Sequence, residues 1–359
     1  MQRLEDPPAV SLRVKSQSAW ILKEERGITG ARGLAALYVF LGHFFFYSGF
    51  SPNLITNVIV SGSSGVDFFF VLSAYLLTKK LSRGDYKSMA AYYARRVFRI
   101  WPTYFIAATA FVVSGLMPFQ PLTYVFLVNY FPSTFLAYPI WTLLIEELFY
   151  LILPLWVLGF AKGRWKVALP VILAYEVVFR VLTQPYLSTT SYYNWSFESR
   201  VFDYALGTVL GLGISLRALK AFSSKGMRKV LKLATILAFI FAGETTGWND
   251  AWYTPILYSA IYYCALSFFA DSPFFKNRVS YFLGKISYSW YLYGWGITYW
   301  LFLNSYLTTS PVQAIAWGVV IFGGSVVLSY ASYRYLERPI MRFGRSLFER
   351  RDPITRTQI

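Results

Sequence analysis

The sequence predicts an all-α fold: a polytopic membrane helix bundle of about ten transmembrane helices, with both termini cytoplasmic. Three observations carry that expectation. The 359 residues are 56% hydrophobic and 20% aromatic but only 14% charged, far below the roughly one-quarter charged residues of a soluble domain, and the mean hydropathy is +0.43. Apolar runs near the roughly 20 residues needed to span a bilayer recur along the chain. Lysine and arginine are segregated between those runs, as the tendency of cytoplasmic loops to be basic requires.

The predicted spans are 31–48, 65–80, 98–116, 141–160, 167–183, 200–216, 230–246, 253–270, 282–303 and 312–335. With the termini inside, the cytoplasmic segments hold Lys79, Lys80, Arg83, Lys87, Arg95, Arg96 and Arg99, then Lys162, Arg164 and Lys166, then the run from Arg217 to Lys232. Lys276, Arg278, Lys285 and the tail complete the set. The outward segments 49–64, 117–139, 184–199, 247–252 and 304–311 hold none, and of 34 basic residues only Arg180 and Arg200 fall at outward helix ends. Residues 121–131 are too short to span and read as an outward interfacial or re-entrant piece.

This divides the chain into a cytoplasmic leader, 1–29, a membrane domain, 30–345, and a basic cytoplasmic tail, 346–359, with no long soluble domain expected. The leader mixes acids and bases without an apolar core, unlike a secretory signal. The net charge of +17 lies in short clusters between apolar runs, not on one soluble face, which argues against a nucleic-acid partner. One cysteine, Cys264, and one histidine, His43, leave no internal disulfide and no Cys/His metal cluster to propose. No metal is expected.

The first span carries Arg32 at its lip and His43 within it. Ionisable groups in a bilayer must be paired or face a polar cavity, which makes both candidates for function. They are 11 residues apart, three helical turns plus roughly 20°, so they share a face about 16 Å apart along the axis. One long, thin ligand would touch both; the alternative is a flanking charge and a packed histidine. The second span opens GVDFFFVLSAYLL, with Asp67 near its outward end and Ser73 deeper. Asp67 is expected either to orient the imidazole or simply to cap its helix.

The third span is entered through YYARRVFRIWPTY. Arg96 and Arg99, three apart, share a helix face, and arginine forks bind phosphate in bidentate fashion. With Arg32 they form a cluster suited to a nucleotide phosphate. The fourth span, IWTLLIEELFYLILP, places Glu146 and Glu147 side by side; neighbours point about 100° apart, so one at most faces a given cavity. Glu146, with Trp141 and Thr142, is the expected site residue, against pairing with Arg180 or Arg200. Those two arginines flank an outward segment holding Tyr186, Tyr192, Tyr193 and Trp195. Arg200 and Trp195 are expected either to recognise an acceptor sugar there or, for the arginines, to pair internally with Glu176, Glu198 or Asp203. Gly207, Gly211, Gly213, Gly323 and Gly324 read as helix-packing contacts.

Taken in order, these segments resemble the integral-membrane acyltransferase-3 family: Arg32 and His43 with ten residues between, GVDFFFVLSAY, Arg96-Val-Phe-Arg99, WTLLIEELFY, RVFDYALG, FLGKISYSWYLY and YRYLERP. The resemblance runs from about residue 30 to 345, with departures at Ala74, Leu148 and Gly294; the last stands where relatives commonly have histidine, leaving His43 alone for acid–base work. It implies a bacterial cytoplasmic (inner) membrane O-acyltransferase moving an acetyl group from acetyl-CoA to an extracytoplasmic or lipid-linked sugar: a surface polysaccharide, O-antigen or lipo-oligosaccharide. It further implies phosphates on Arg32, Arg96 and Arg99, His43 as base or transiently acylated, Asp67 or Glu146 orienting it, and Ser73, Ser287 or Tyr288 as oxyanion donors. Antibiotic or lipid acceptors stay open, and a homo-oligomer is allowed. The rival class is a secondary transporter or flippase, which would show pseudo-repeats and interrupted helices; the sequence has no visible repeat.

Overall fold

The computed structural model describes residues 9–124, 140–183, 196–216, 222, 224–246, 251–269, 272–307 and 310–348. No strand occurs among them. Lipid offers the backbone no hydrogen-bonding partners, so apolar runs satisfy their own amides and carbonyls as helices. Helix α1 is Ala9–Tyr47; α2, Leu54–Val60, leads through a tight turn, Ser61–Ser64, into α3, Gly65–Ser82. Then come α4, Met89–Val113, α5, Ile140–Phe160, and α6, Trp165–Thr183. Helices α7, Val201–Gly211, α8, Lys225–Thr246, and α9, Thr254–Phe269, follow. Helix α10, Arg278–Leu303, precedes α11, Pro311–Ser332, which passes through a π-helical turn, Tyr333–Glu337, into α12, Arg338–Phe348.

Each predicted span falls on a helix. Among the described residues, four stretches, Arg26–Tyr47, Leu54–Ser82, Ile140–Phe160 and Val312–Leu347, are long and apolar enough to cross a membrane, and the chain is a membrane protein. Helices α6, α8 and α11 turn large apolar side chains such as Val171, Leu182, Leu237, Phe241, Val319 and Val327 outward, as a surface solvated by lipid requires.

Several expectations are corrected. The span at 200–216 is an eleven-residue helix, α7, every residue of which is buried. It ends at Gly211, and the turn that follows runs through Gly213, whose φ of +86° is open to glycine without a steric penalty. Gly213, Gly323 and Gly324 are not packing contacts, because a Cβ on any of them would meet open space. Gly207 and Gly211 do lie on α3, against Val71, Ala74, Tyr75 and Thr78. Helix α1 itself runs unbroken through position 30.

A close seam lies between α1 and α10. A Cβ on Gly33 would collide with the Ser280 carbonyl and the Gly284 amide, and one on Gly284 with the Thr29 carbonyl. Small residues let helix backbones approach this closely. Along the seam Gly33 meets Ser280, Arg32 meets Ser287, Phe40 meets Trp290 and Tyr47 meets Phe302, so α1 and α10 are parallel. Gly284→Ala is expected to destabilise the protein by about 1–3 kcal/mol through overpacking against backbone, whereas Gly324→Ala is expected to be near neutral. Equal melting temperatures for the two variants in detergent would contradict this packing.

Helix α4 runs alongside α10 in the same direction, Ile100 meeting Tyr288 and Phe111 meeting Trp295. Helix α3 opposes α1, with Gly62 and Gly65 on Tyr38 and Val39. The basic starts of α1, α4 and α10 are thereby gathered at one end of the bundle.

Candidate active site

At that end, five helices enclose a cavity of about 870 Å3, counted to its open mouth. Four cations reach its wall: Arg32 from α1, Lys80 from α3, and Arg96 and Arg99 from α4. The three-residue spacing of Arg96 and Arg99 puts both on the inner face of α4, next to Ile100, which also lines the space. Arg32 donates from Nη2 to Ser287 Oγ at 3.2 Å, and Arg96 lies over the Tyr150 ring, 5.6 Å from its centre. Both guanidinium groups are fixed in part by the protein while facing the cavity.

Glu146 also lines the cavity, accepting from Ser73 Oγ at 2.6 Å. It lines the cavity with Thr142, Tyr150, Ser287 and Tyr288; Glu147, the next residue round the helix, does not. Tyr288 donates to the Ile100 carbonyl at 2.8 Å, tying α10 to α4. Trp141 is buried behind the wall, with its ring against Phe70 and beneath the Arg200 guanidinium at 5.5 Å.

His43 does not open into this cavity. It lines a much smaller recess, with room for about one water molecule, beside Phe40, Trp290, Gly294, Trp295 and Thr298. Arg32 and His43 both abut α10, Arg32 through Ser287 and His43 across the recess, and Tyr291 borders both spaces. His43 Nδ1 lies 2.8 Å from the Val39 carbonyl, one turn back on its own helix. A carbonyl only accepts, so Nδ1 carries the proton, and in the neutral ring Nε2 holds the free lone pair.

The expected carboxylate partner of the imidazole is therefore replaced by backbone. Asp67 Oδ1, in the first turn of α3, instead accepts from Arg200 Nη1 at 2.7 Å, both side chains being nearly buried. Around this pair Arg180 donates from Nε to Glu176 at 3.1 Å and also to the Ser199 carbonyl, Glu176 accepts from the Phe202 amide at 2.8 Å, and Ser259 donates to Asp203. This network ties α3, α6, α7 and α9 together. Arg180 thus pairs with Glu176, one of the partners expected for it, whereas Arg200 pairs with Asp67, which is not among them. Trp195, with Tyr186, Tyr192 and Tyr193, lies outside the described residues.

Sequence reasoning left Tyr150 and Tyr291 out of the site. Both are traceable in retrospect: Tyr150 follows Glu146 by four residues and Tyr291 follows Ser287 by four, which puts each on the same helix face. No group of three or more metal-ligating side chains occurs among the described residues.

Fold and site together define a membrane helix bundle with a cation-lined inner cavity and a separate histidine recess. The chain belongs to the acyltransferase-3 family, whose acyltransferase domain matches residues 25–334, and it is accordingly an acyltransferase. That assignment displaces the transporter alternative. Among its relatives, a putative acetyltransferase of Acidianus two-tailed virus is 25% identical over 74% of this chain and 81% of its own length. The O-acetyltransferase OatA of Staphylococcus aureus is 25% identical over 90% of this chain, and the putative peptidoglycan O-acetyltransferase YrhL of Bacillus subtilis 27% over 90%. The chain spans only 58% and 56% of the length of those two proteins. No solved structure matches it significantly.

Proposed function

We propose that the protein is a membrane O-acetyltransferase that takes acetyl-CoA from the cytoplasm and esterifies a hydroxyl of an extracytoplasmic or lipid-linked glycan at the cytoplasmic (inner) membrane. The observation that supports this most directly is one cavity collecting Arg32, Arg96, Arg99 and Lys80, bordered by the same tyrosine that borders the recess of the sole histidine. The cations take the phosphates of the donor. The pantetheine arm then bridges the roughly 16 Å that eleven residues of helix place between Arg32 and His43.

In the transfer itself, Nε2 of His43 removes the acceptor hydroxyl proton as the oxygen attacks the thioester carbonyl. The carbon–sulfur bond breaks on collapse of the tetrahedral intermediate, and the departing thiolate regains that proton from the imidazolium. The Val39 carbonyl holds the ring in the tautomer this requires. Serine and tyrosine hydroxyls on α10, Ser287 and Tyr288, stand on the cavity wall where they can serve the oxyanion. Glu146 acts through Ser73, holding the cavity floor rather than touching the imidazole. The name borne by YrhL makes peptidoglycan one candidate acceptor beside O-antigen, exopolysaccharide and lipo-oligosaccharide.

The phosphate role is tested by Arg32→Lys and Arg99→Lys, which keep the charge and remove the fork. Each is expected to weaken CoA binding about tenfold, equivalent to about 1.4 kcal/mol, by calorimetry on purified protein. Unchanged affinity in both variants would place the donor elsewhere.

A further inference from the structure

The four cations of the larger cavity do not stand at one depth. Helix α10 brings two of them level: Arg32 donates to Ser287, and the next residue, Tyr288, donates to the Ile100 carbonyl beside Arg99. Arg96 precedes Arg99 by three residues, which sets it about 4.5 Å nearer the start of α4. Lys80 comes from another direction. Helix α3 runs against α1, so its cavity-lining residues descend toward the basic end of the bundle, from Ser73, bonded to Glu146, through Leu76 and Leu77 to Lys80. Seven residues of helix put Lys80 about 10 Å beyond Ser73. Two residues later α3 ends at Ser82, which is exposed like Arg83 and Gly84 after it. Lys80 therefore stands at the mouth of the cavity, and the arginines stand inside it.

The neighbouring lysine is turned elsewhere. Lys79 donates from Nζ to Tyr75 Oη at 2.9 Å, one turn back on the same helix, and lies over that ring, 5.2 Å from its centre; it is not on the cavity wall. A CoA thioester carries its charge in two places: a pyrophosphate next to the pantetheine arm, and a phosphomonoester on the ribose 3′ carbon at the end remote from the thioester. With the arm directed inward toward His43, the pyrophosphate falls to Arg32, Arg96 and Arg99 and the 3′-phosphate to the mouth. Arginine forks suit the pyrophosphate oxygens. A phosphomonoester at a wet mouth, with close to two charges at neutral pH, is matched by a compact point charge on a flexible stem.

We propose that Lys80 reads the 3′-phosphate of the donor and so makes the site specific for CoA thioesters over pantetheine donors that lack this phosphate, dephospho-CoA and phosphopantetheinyl carrier proteins among them. This rests on the CoA reading above and adds to it the residue that separates one class of pantetheine donor from the other.

The test is calorimetric binding of CoA and 3′-dephospho-CoA to the purified full chain in detergent, with melting temperatures as a check on folding. Wild type is expected to hold CoA about tenfold more tightly, the worth of one charge-assisted contact. Lys80→Gln is expected to abolish that preference by weakening CoA to the level of dephospho-CoA, whose own affinity stays unchanged, while Lys80→Arg keeps it. Arg99→Lys should weaken both ligands by the same factor. Lys79→Gln, which removes an equal charge one residue away, should leave the preference intact. Equal binding of the two ligands by wild type would overturn the assignment and leave the donor reading standing, as would a Lys80→Gln variant that keeps the preference or a Lys79→Gln variant that loses it. Failure of wild type to bind either ligand would remove the donor reading and the assignment with it.

Discussion

Replacing His43 with alanine is expected to lower acyl transfer by about 10² to 10⁴-fold, the range that a positioned general base contributes, while CoA affinity and melting temperature stay close to wild type. The expectation of intact binding follows from the separation of the two spaces: His43 borders the recess and none of the cavity that holds the arginines. With a single histidine in the chain, no second imidazole is present to take over the proton. Single-turnover transfer with purified enzyme, run beside calorimetric CoA binding, separates the two effects. Residual turnover above a few per cent of wild type would remove His43 from the base role. A parallel collapse of CoA affinity would show instead that the recess and the cavity act as one binding space.

The second large effect is expected on stability. Removing one partner of a buried ion pair leaves an uncompensated charge, which costs about 3–5 kcal/mol. Asp67 and Arg200 are such a pair, with side chains 6% and 11% exposed, and Trp141 backs the guanidinium. Asp67→Asn and Arg200→Gln are each expected to produce a large drop in detergent melting temperature. The double variant should lose less than the sum, since neither charge is then stranded. Additive losses would mean that the two side chains do not act as a pair. An Arg200 variant with wild-type stability and a raised acceptor KM would return this arginine to sugar recognition, the role that its outward position in the sequence invites.

Glu337 makes a similar point on a smaller scale. It lies in the π-helical turn just before Pro339, accepts from Ser289, and is buried. Nothing in the run YRYLERP by itself names Ser289 as its partner; the contact exists because α10 and α11 pack side by side.

The sequence by itself determined the helical membrane class. Helix positions follow from the length of the apolar runs, and those lengths answer to bilayer thickness, which is a local constraint on each segment. The same locality made the shared face of Arg32 and His43 legible, because helical periodicity fixes angular positions along one segment without reference to any other. The gathering of Arg32, Arg96 and Arg99 at one end was legible too, through the charge asymmetry that orders every loop at once. The helix directions agree with that pattern: α1, α4 and α10 run together and α3 runs against α1.

Only the tertiary structure decided which buried charges meet. Asp67 pairs with a residue 133 positions away and Glu146 with one 73 positions away, and no periodicity within a helix carries such information. Apolar length likewise failed to separate α7, buried on every side, from a helix bathed in lipid, because both environments select the same side chains. The division of the interior at Tyr291 was out of reach for the same reason: it depends on α1, α3, α5 and α10 approaching to within a side chain of one another. That approach is set by small residues such as Gly33 and Gly284, whose effect appears only where a second backbone lies against them.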